Sequence, residues 1–211
     1  MKKILILSGG YSKEKEISRS SAKSIYKTLK DKYKILVCEP DSEFISKIKK
    51  FKPDVVYNSL HGRFGEDGYI QALLENLKVK YTHSGVNSSS IAMDKEISKR
   101  IFIRNNIRTP KFLKLNNFDL IKDKNTLLKN IEIKLGFPVV IKPVDEGSSV
   151  DVNICNKQNI IKNLKKLSSY KEVLVEKYIG GREIQVAIMG NIKLGVIELS
   201  PKRKFYDYKA K

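Results

Sequence analysis

Cysteine is scarce in this 211-residue chain, which has only Cys38 and Cys155. They stand far apart on apolar segments of strand character, with no CxxC spacing and no partner at a metal-ligand interval. That excludes a disulfide scaffold and a zinc module and fits a reduced, cytoplasmic setting. Long apolar runs are also missing. Nothing approaches the roughly 20 residues that cross a bilayer, so no membrane partner is expected, and Met1 to Leu7 is too short for a secretory signal core. Arginine is rare as well, at seven of the 42 basic residues. Nucleic-acid surfaces favour clustered arginine with interleaved aromatics. Here lysine is dispersed over nearly every predicted surface. The net charge of +19 therefore implies a general attraction for anions, and no nucleic-acid partner is expected.

What remains is enough to fold. With 41% apolar and 31% charged residues the composition is globular, and the length suits one large domain or two small ones. The first part alternates strand and helix. Lys3 to Leu7 is an apolar strand running into Ser8-Gly9-Gly10, and Ala22, Ile25, Tyr26 and Leu29 then fall at helical spacing. Strands at Lys34–Cys38 and Val55–Asn58 flank a short helix at Glu43–Phe51. Such alternation predicts a parallel sheet with crossover helices, whose ligand loops lie at the carboxyl ends of the strands.

One of those loops carries Glu14 and Glu16. Each is either a helix-entry charge complementing the positive helix end or an anchor for a substrate ammonium. The next, Leu60 to Gln71, packs three glycines around His61, Glu66 and Asp67, as a loop does when its backbone must approach something closely. His61 is either a hydrogen-bonded structural group or a donor to a bound carboxylate. Ile70, Leu73, Leu74 and Leu77 mark the following helix. Tyr81 to Gly85 is a turn in which His83 makes a local hydrogen bond. A further helix spans Glu96 to Asn105, and the role of Lys95 at its start is open.

The second part is organised around Gly136 to Val152. The apolar run Pro138 to Ile141 predicts a buried strand that delivers Lys142 to a site. Pro143 stops it, Asp145 to Ser149 forms a small-residue turn whose amides can lie against a phosphate, and Val150 to Cys155 resumes as a strand. An ordinary Gly-Ser hairpin with a surface lysine is the competing reading. Around this stretch lie a strand at Lys111–Leu115, a helix within Thr126–Leu135, another at Ile160–Leu167 and a strand at Val173–Glu176. A hairpin, Ile184–Met189 with Ile192–Glu198, follows. Glu176 and Glu183 straddle one glycine turn, placed either to bind a base and a ribose or to solubilise an edge strand.

Six segments together, GGYSKEKEIS (9–18), HGRFGEDGYIQ (61–71), MDKEISK (93–99), FPVVIKPVDEGSSV (137–150), VEKYIGGREI (175–184) and FYDYKAK (205–211), resemble, in order, the D-alanine–D-alanine ligases of the ATP-grasp superfamily. The resemblance implies an α/β fold, with an N-terminal parallel, Rossmann-like (pre-ATP-grasp) domain over 1–94. An incomplete ATP-grasp domain would follow, its central subdomain over 95–178 and the start of its C-terminal subdomain over 179–211. It implies ATP-dependent ligation of two D-alanines through an acyl phosphate for peptidoglycan synthesis, with a D-lactate or D-serine variant and a non-catalytic ATP- or D-alanine-binding fragment as alternatives.

By matching position, Glu14 is the ammonium anchor, with His61 and Ser148 beside the substrate. Lys95 and Lys142 contact phosphates under a flap formed by Ser148 and Ser149. Glu176, with the backbone of Lys177 and Ile179, meets adenine, Glu183 meets ribose, and Lys211 belongs to a loop closing over the γ-phosphate. A homodimer and a Mg2+ or Mn2+ cofactor are implied too. Two departures stand out. Asp151 occupies a position where the family has glycine, placing a negative charge beside the flap. The chain also ends where the family continues with a tyrosine, an arginine and the magnesium ligands, so the expectation is a truncated, inactive ligase with no metal residues of its own.

Overall fold

A computed structural model of the chain describes residues 1–116 and 123–200. It divides into two compact units: residues 1–101 with Asp145–Gly147, and residues 102–144 with 148–211.

Unit 1 holds β1 (Lys3–Leu7), α1 (Lys15–Leu29), β2 (Lys34–Cys38), α2 (Phe44–Phe51), β3 (Val55–Asn58), α3 (Tyr69–Asn76), α4 (Val86–Met93) and α5 (Lys95–Arg104), the division falling within α5. Its sheet is parallel, in the order β2-β1-β3. Because β1 is central and covered on both sides, it is apolar without alternation. Its odd and even positions serve different cores: Ile4 and Ile6 pack with Ala22 of α1, whereas Leu5 and Leu7 pack with Phe44, Ile48, Ile70 and Leu74 of α2 and α3. At about 2 kcal/mol for each fully buried large aliphatic side chain, this strand is the main tie between the layers. Helix α4 has no counterpart in the apolar periodicity. Its sequence VNSSSIAM carries no apolar stripe, and Ser89 is its buried residue.

Unit 2 contains β4 (Phe112–Asn116), α6 (Lys124–Lys134), β5 (Val139–Pro143), β6 (Asn153–Cys155), α7 (Ile160–Lys166), β7 (Glu172–Lys177), β8 (Glu183–Met189) and β9 (Ile192–Leu199). The first sheet, β4-β7-β5-β6, is antiparallel throughout. Val139, Ile141, Cys155, Val173 and Val175 point to one face, where Ile131 of α6 and Ile160 and Leu164 of α7 close the core. Asp123 caps α6 by accepting from the Asn125 amide at 2.9 Å. Strands β8 and β9 form a separate hairpin, exposed along nearly its whole length.

Two boundaries differ from expectation. Strand β5 runs through Pro143, which pairs with Val173. Strand β6 begins only at Asn153, because Ser148, Ser149 and Asp151 take φ of +52°, +60° and +55°, a left-handed backbone that no strand can continue through.

Candidate active site

In unit 1 the chain leaves β1 for β2 on one side and returns to β3 on the other. The loops after β1 and β3 thus part at the carboxyl end of the sheet, where open α/β folds bind ligands. One hydroxyl stitches these loops together: Ser12 Oγ donates across to the His61 carbonyl at 2.7 Å and accepts from the Glu14 amide of its own loop at 3.1 Å. Glu14 sits at the entry of α1 and is only 6% exposed. Gly62, at φ +68°, passes directly over it, and a Cβ there would lie 3.1 Å from Glu14 Oε2. Among the described residues, the Glu14 carboxylate forms no hydrogen bond and no ion pair. A carboxylate so buried is costly unless a cation or donors meet it.

The Glu14 charge is felt by His61. Its Nε2 lies 3.4 Å from Ser21 Oγ, and its Nδ1 lies 3.7 Å from Glu66 Oε1. The Glu66 carboxylate facing the ring, and then the Glu14 charge, raise the His61 pKa above its ordinary value, against the opposing effect of burial. Burial pushes Glu66 up, yet the neighbouring His61 ring and the hydrogen bond from the Gly62 amide at 2.7 Å outweigh it and hold the carboxyl below its usual range. The loop's interior is fixed by Asn58 Nδ2 and Gln71 Nε2, which both donate to the Gly65 carbonyl, at 2.8 and 2.9 Å. His83 does not bond within its own turn as expected: its Nε2 lies 2.8 Å from the carbonyl of Asn58, at the end of β3, because the turn packs beside that strand. Lys95, the first residue of α5, donates to the Glu146 carbonyl within the same unit.

In unit 2, Val140 and Lys142 lie on the face of β5 opposite the core, and Glu176 of β7 stands across from Val140. That register places Glu176 diagonally beside Lys142, and the two form an ion pair at 2.7 Å with side chains 8% and 21% exposed. A base-binding and a phosphate-binding role had been expected of these residues separately, but here they bind each other. The turn after β5 is strained at three non-glycine residues. Asp151 adopts the backbone for which glycine is best suited, and its carboxylate accepts from the Tyr170 hydroxyl at 2.5 Å. Lys177 ends β7 with its amide donating to the Lys111 carbonyl at 2.9 Å, while Ile179 and Glu183 are exposed. Lys211 lies outside the described residues.

The structure therefore groups Glu14 with His61 in one unit, and Lys142 with Glu176, and Ser148 with Ser149, in the other. Sequence reasoning passed over Ser12, Ser21 and Tyr170, whose contacts depend on register between distant segments. It gave Glu66 no role of its own, although its place in the GEDG turn, a few residues after His61, was the available signal. Among the described residues, no group of three or more His, Cys, Asp or Glu side chains is placed to hold a metal ion.

Family models describing the D-ala D-ala ligase N-terminus and C-terminus match residues 39–84 and 101–211. A D-alanine–D-alanine ligase of Pelagibacter ubique (strain HTCC1062) is 62% identical over all of this chain and 68% of its own length. The chain belongs to the D-alanine–D-alanine ligase family. The ligase of Wolbachia pipientis wMel is 43% identical over 99% of this chain and 64% of its own length. Among solved structures, the Bacillus anthracis ligase superposes with a TM-score of 0.84 at 36% identity, covering 100% of this chain and 68% of that one. The same ligase complexed with ATP gives 0.81 at 33% identity, over 98% and 68%. The chain thus spans about two thirds of the length of its relatives.

Proposed function

We propose that this sequence carries the amino-acid anchor and the nucleotide clamp of an enzyme that joins two D-alanines to D-alanyl-D-alanine for peptidoglycan synthesis, at the expense of ATP. The observation that carries the reading is the buried Glu14 carboxylate, which meets no cation among the described residues. The ammonium of an amino acid is the complement such a group calls for, and His61 beside it is placed to donate to the same substrate's carboxylate. ATP, when bound, would supply the phosphoryl group that turns that carboxylate into an acyl phosphate open to attack by the second amine.

The chain's own contribution is positioning and charge. Lys142 would leave Glu176 for a phosphate, and Glu176 would then turn to the exocyclic amine of adenine. The left-handed Ser148-Ser149 turn would lay its amides on the phosphates, Lys95 would add a second cation, and Lys177, Ile179 and Glu183 would follow the nucleoside. Lys211 would come from the closing loop. The described residues do not form a magnesium site, and no step is routed through a metal; in the family's full length that ion would find ligands elsewhere. We assign the reaction to the cytoplasm, in keeping with two buried free cysteines, and to a homodimer, for which the exposed Ile91 and Ile97 offer apolar area. No described helix is long and apolar enough to cross a membrane. We keep functional divisions at 1–94, 95–178 and 179–211.

The test is product analysis with D-alanine and ATP. The 211-residue chain should form no D-alanyl-D-alanine, and a chimera completed with the C-terminal third of the Pelagibacter ubique ligase should form it readily. A silent chimera that is folded would overturn the reading, and turnover by the short chain would overturn its inactivity. The non-catalytic alternative is favoured by the two-thirds coverage alone and predicts silence from both.

A further inference from the structure

The loop that carries His61 has a second side. Beneath it, at the carboxyl ends of all three strands of unit 1, is a cavity of about 390 Å³. Its floor is apolar, built from Phe44, Leu60, Ile70 and Leu73 on the α2–α3 layer of the sheet; His61 also lines it, whereas Ser12, Glu14 and Ser21 do not. The two sites meet at His61 and its loop, and the rest of their linings differ.

The mouth is formed by three aromatic rings in an edge-to-face row. Phe64 stands 5.9 Å from Tyr11 at 81° and 5.4 Å from Tyr69 at 86°. Phe64 reaches that position only by adopting φ +66°, held by its amide donating to Asp67 Oδ2 at 2.8 Å. A left-handed backbone costs a bulky residue on the order of 1–3 kcal/mol. Two edge-to-face contacts offset part of that cost but leave Tyr11 and Tyr69 67% and 62% exposed. Exposed, strain-held rings over an apolar floor have the make-up of a binding-site rim.

The rim carries one acid and one arginine, differently engaged. Asp41, the acid in the lining, is already committed to Lys47 at 2.7 Å and to the Glu43 amide at 3.0 Å. Arg63 lies over the Phe64 ring at 5.7 Å and forms a long, solvent-exposed ion pair with Asp145 at 3.7 Å, with no hydrogen bond between them. Its planar donors remain available to an acid group.

We propose that this cavity is a second small-molecule site, bordering the amino-acid site at His61 but distinct from it, which takes a compact apolar carboxylate with its acid on Arg63 and its hydrocarbon body on the floor under Phe64. The volume suits a body the size of a phenyl ring with a short chain.

The test is a titration of the 211-residue chain with 3-phenylpropanoate, followed by amide NMR shifts and calorimetry. The expected result is saturable binding with shifts centred on Tyr11, Leu60–Phe64 and Tyr69, at least tenfold weaker binding of the neutral 3-phenylpropanamide, and no displacement by saturating D-alanine. Arg63→Gln should weaken the acid at least tenfold and leave the amide unchanged. Phe64→Gly, which suits the local backbone and so preserves the fold, should weaken both. Equal binding of acid and amide, shifts mapping elsewhere, displacement by D-alanine or no binding at all would each overturn the proposal.

Discussion

Glu14→Gln separates stability from function. The carboxylate is 6% exposed and unpartnered among the described residues, with its charge coupled to the His61 ring. Leaving a buried charged group unsatisfied costs about 1–3 kcal/mol or more. The isosteric amide must still be desolvated, and it forgoes the attraction to His61, so the net gain from the substitution is about 1 kcal/mol. For a chain of this size that corresponds to a rise in Tm of about 2–4 °C. Removing the charge also removes the counter-charge for an ammonium, and D-alanine binding should fall by at least tenfold, a loss of about 1.4 kcal/mol or more. Differential scanning calorimetry without ligand and with millimolar D-alanine reads both effects. The variant should melt higher than the parent alone and gain nothing from D-alanine. A variant that melts several degrees lower, with ligand stabilisation intact, would mean that Glu14 is a structural acid and that the anchor lies elsewhere.

Other consequences follow from the same contacts. Glu176→Ala leaves Lys142 half-buried without its partner and should cost about 2 kcal/mol, less than the 3–5 of a fully buried pair because Lys142 retains some solvent; equilibrium denaturation of the double variant Lys142→Met/Glu176→Ala should recover most of it. His61 should titrate above the ordinary histidine value by NMR, with Glu66→Gln moving it back down. Since the folded state holds that proton more tightly than the unfolded chain, the associated stability is complete below the unfolded pKa near 6.5 and is lost as pH rises through the folded pKa. A Cβ on Gly65 would stand 2.5 Å from Leu60 Cβ, so Gly65→Ala should destabilise unit 1 by about 2 kcal/mol as followed by thermal melting. Tyr170→Phe removes the hydroxyl that holds Asp151 and should cost about 1 kcal/mol, with faster amide exchange over Ser148–Asp151.

Much of this architecture is legible in the residues themselves. The unbroken apolar run of β1 announces a strand buried on both faces, and the short apolar run Pro138 to Ile141, ending on Lys142, announces a buried strand that delivers a lysine. The family motifs also pick out residues that the fold brings together, such as Glu14 and His61. Three features escape for identifiable reasons. Helix α4 is held by Gly85 and a buried Ser89, so it leaves no hydrophobic period to read. The turn before β6 is set by left-handed serines, which composition does not distinguish from strand. Asp151 stands out by sequence as a charge beside a phosphate turn, yet its carboxylate is turned onto Tyr170, a pairing fixed by the packing of a distant segment. The Lys142–Glu176 pair depends in the same way on the β5–β7 register, and register is not visible in either strand alone.

The most direct test of the central claim is a crystal structure of the completed ligase with a non-hydrolysable ATP analogue and D-alanine. The account predicts the D-alanine ammonium within hydrogen-bond distance of Glu14, the triphosphate on Lys142, and Glu176 released toward the adenine. An ammonium bound away from Glu14, or a triphosphate that leaves the Lys142–Glu176 pair intact, would contradict it.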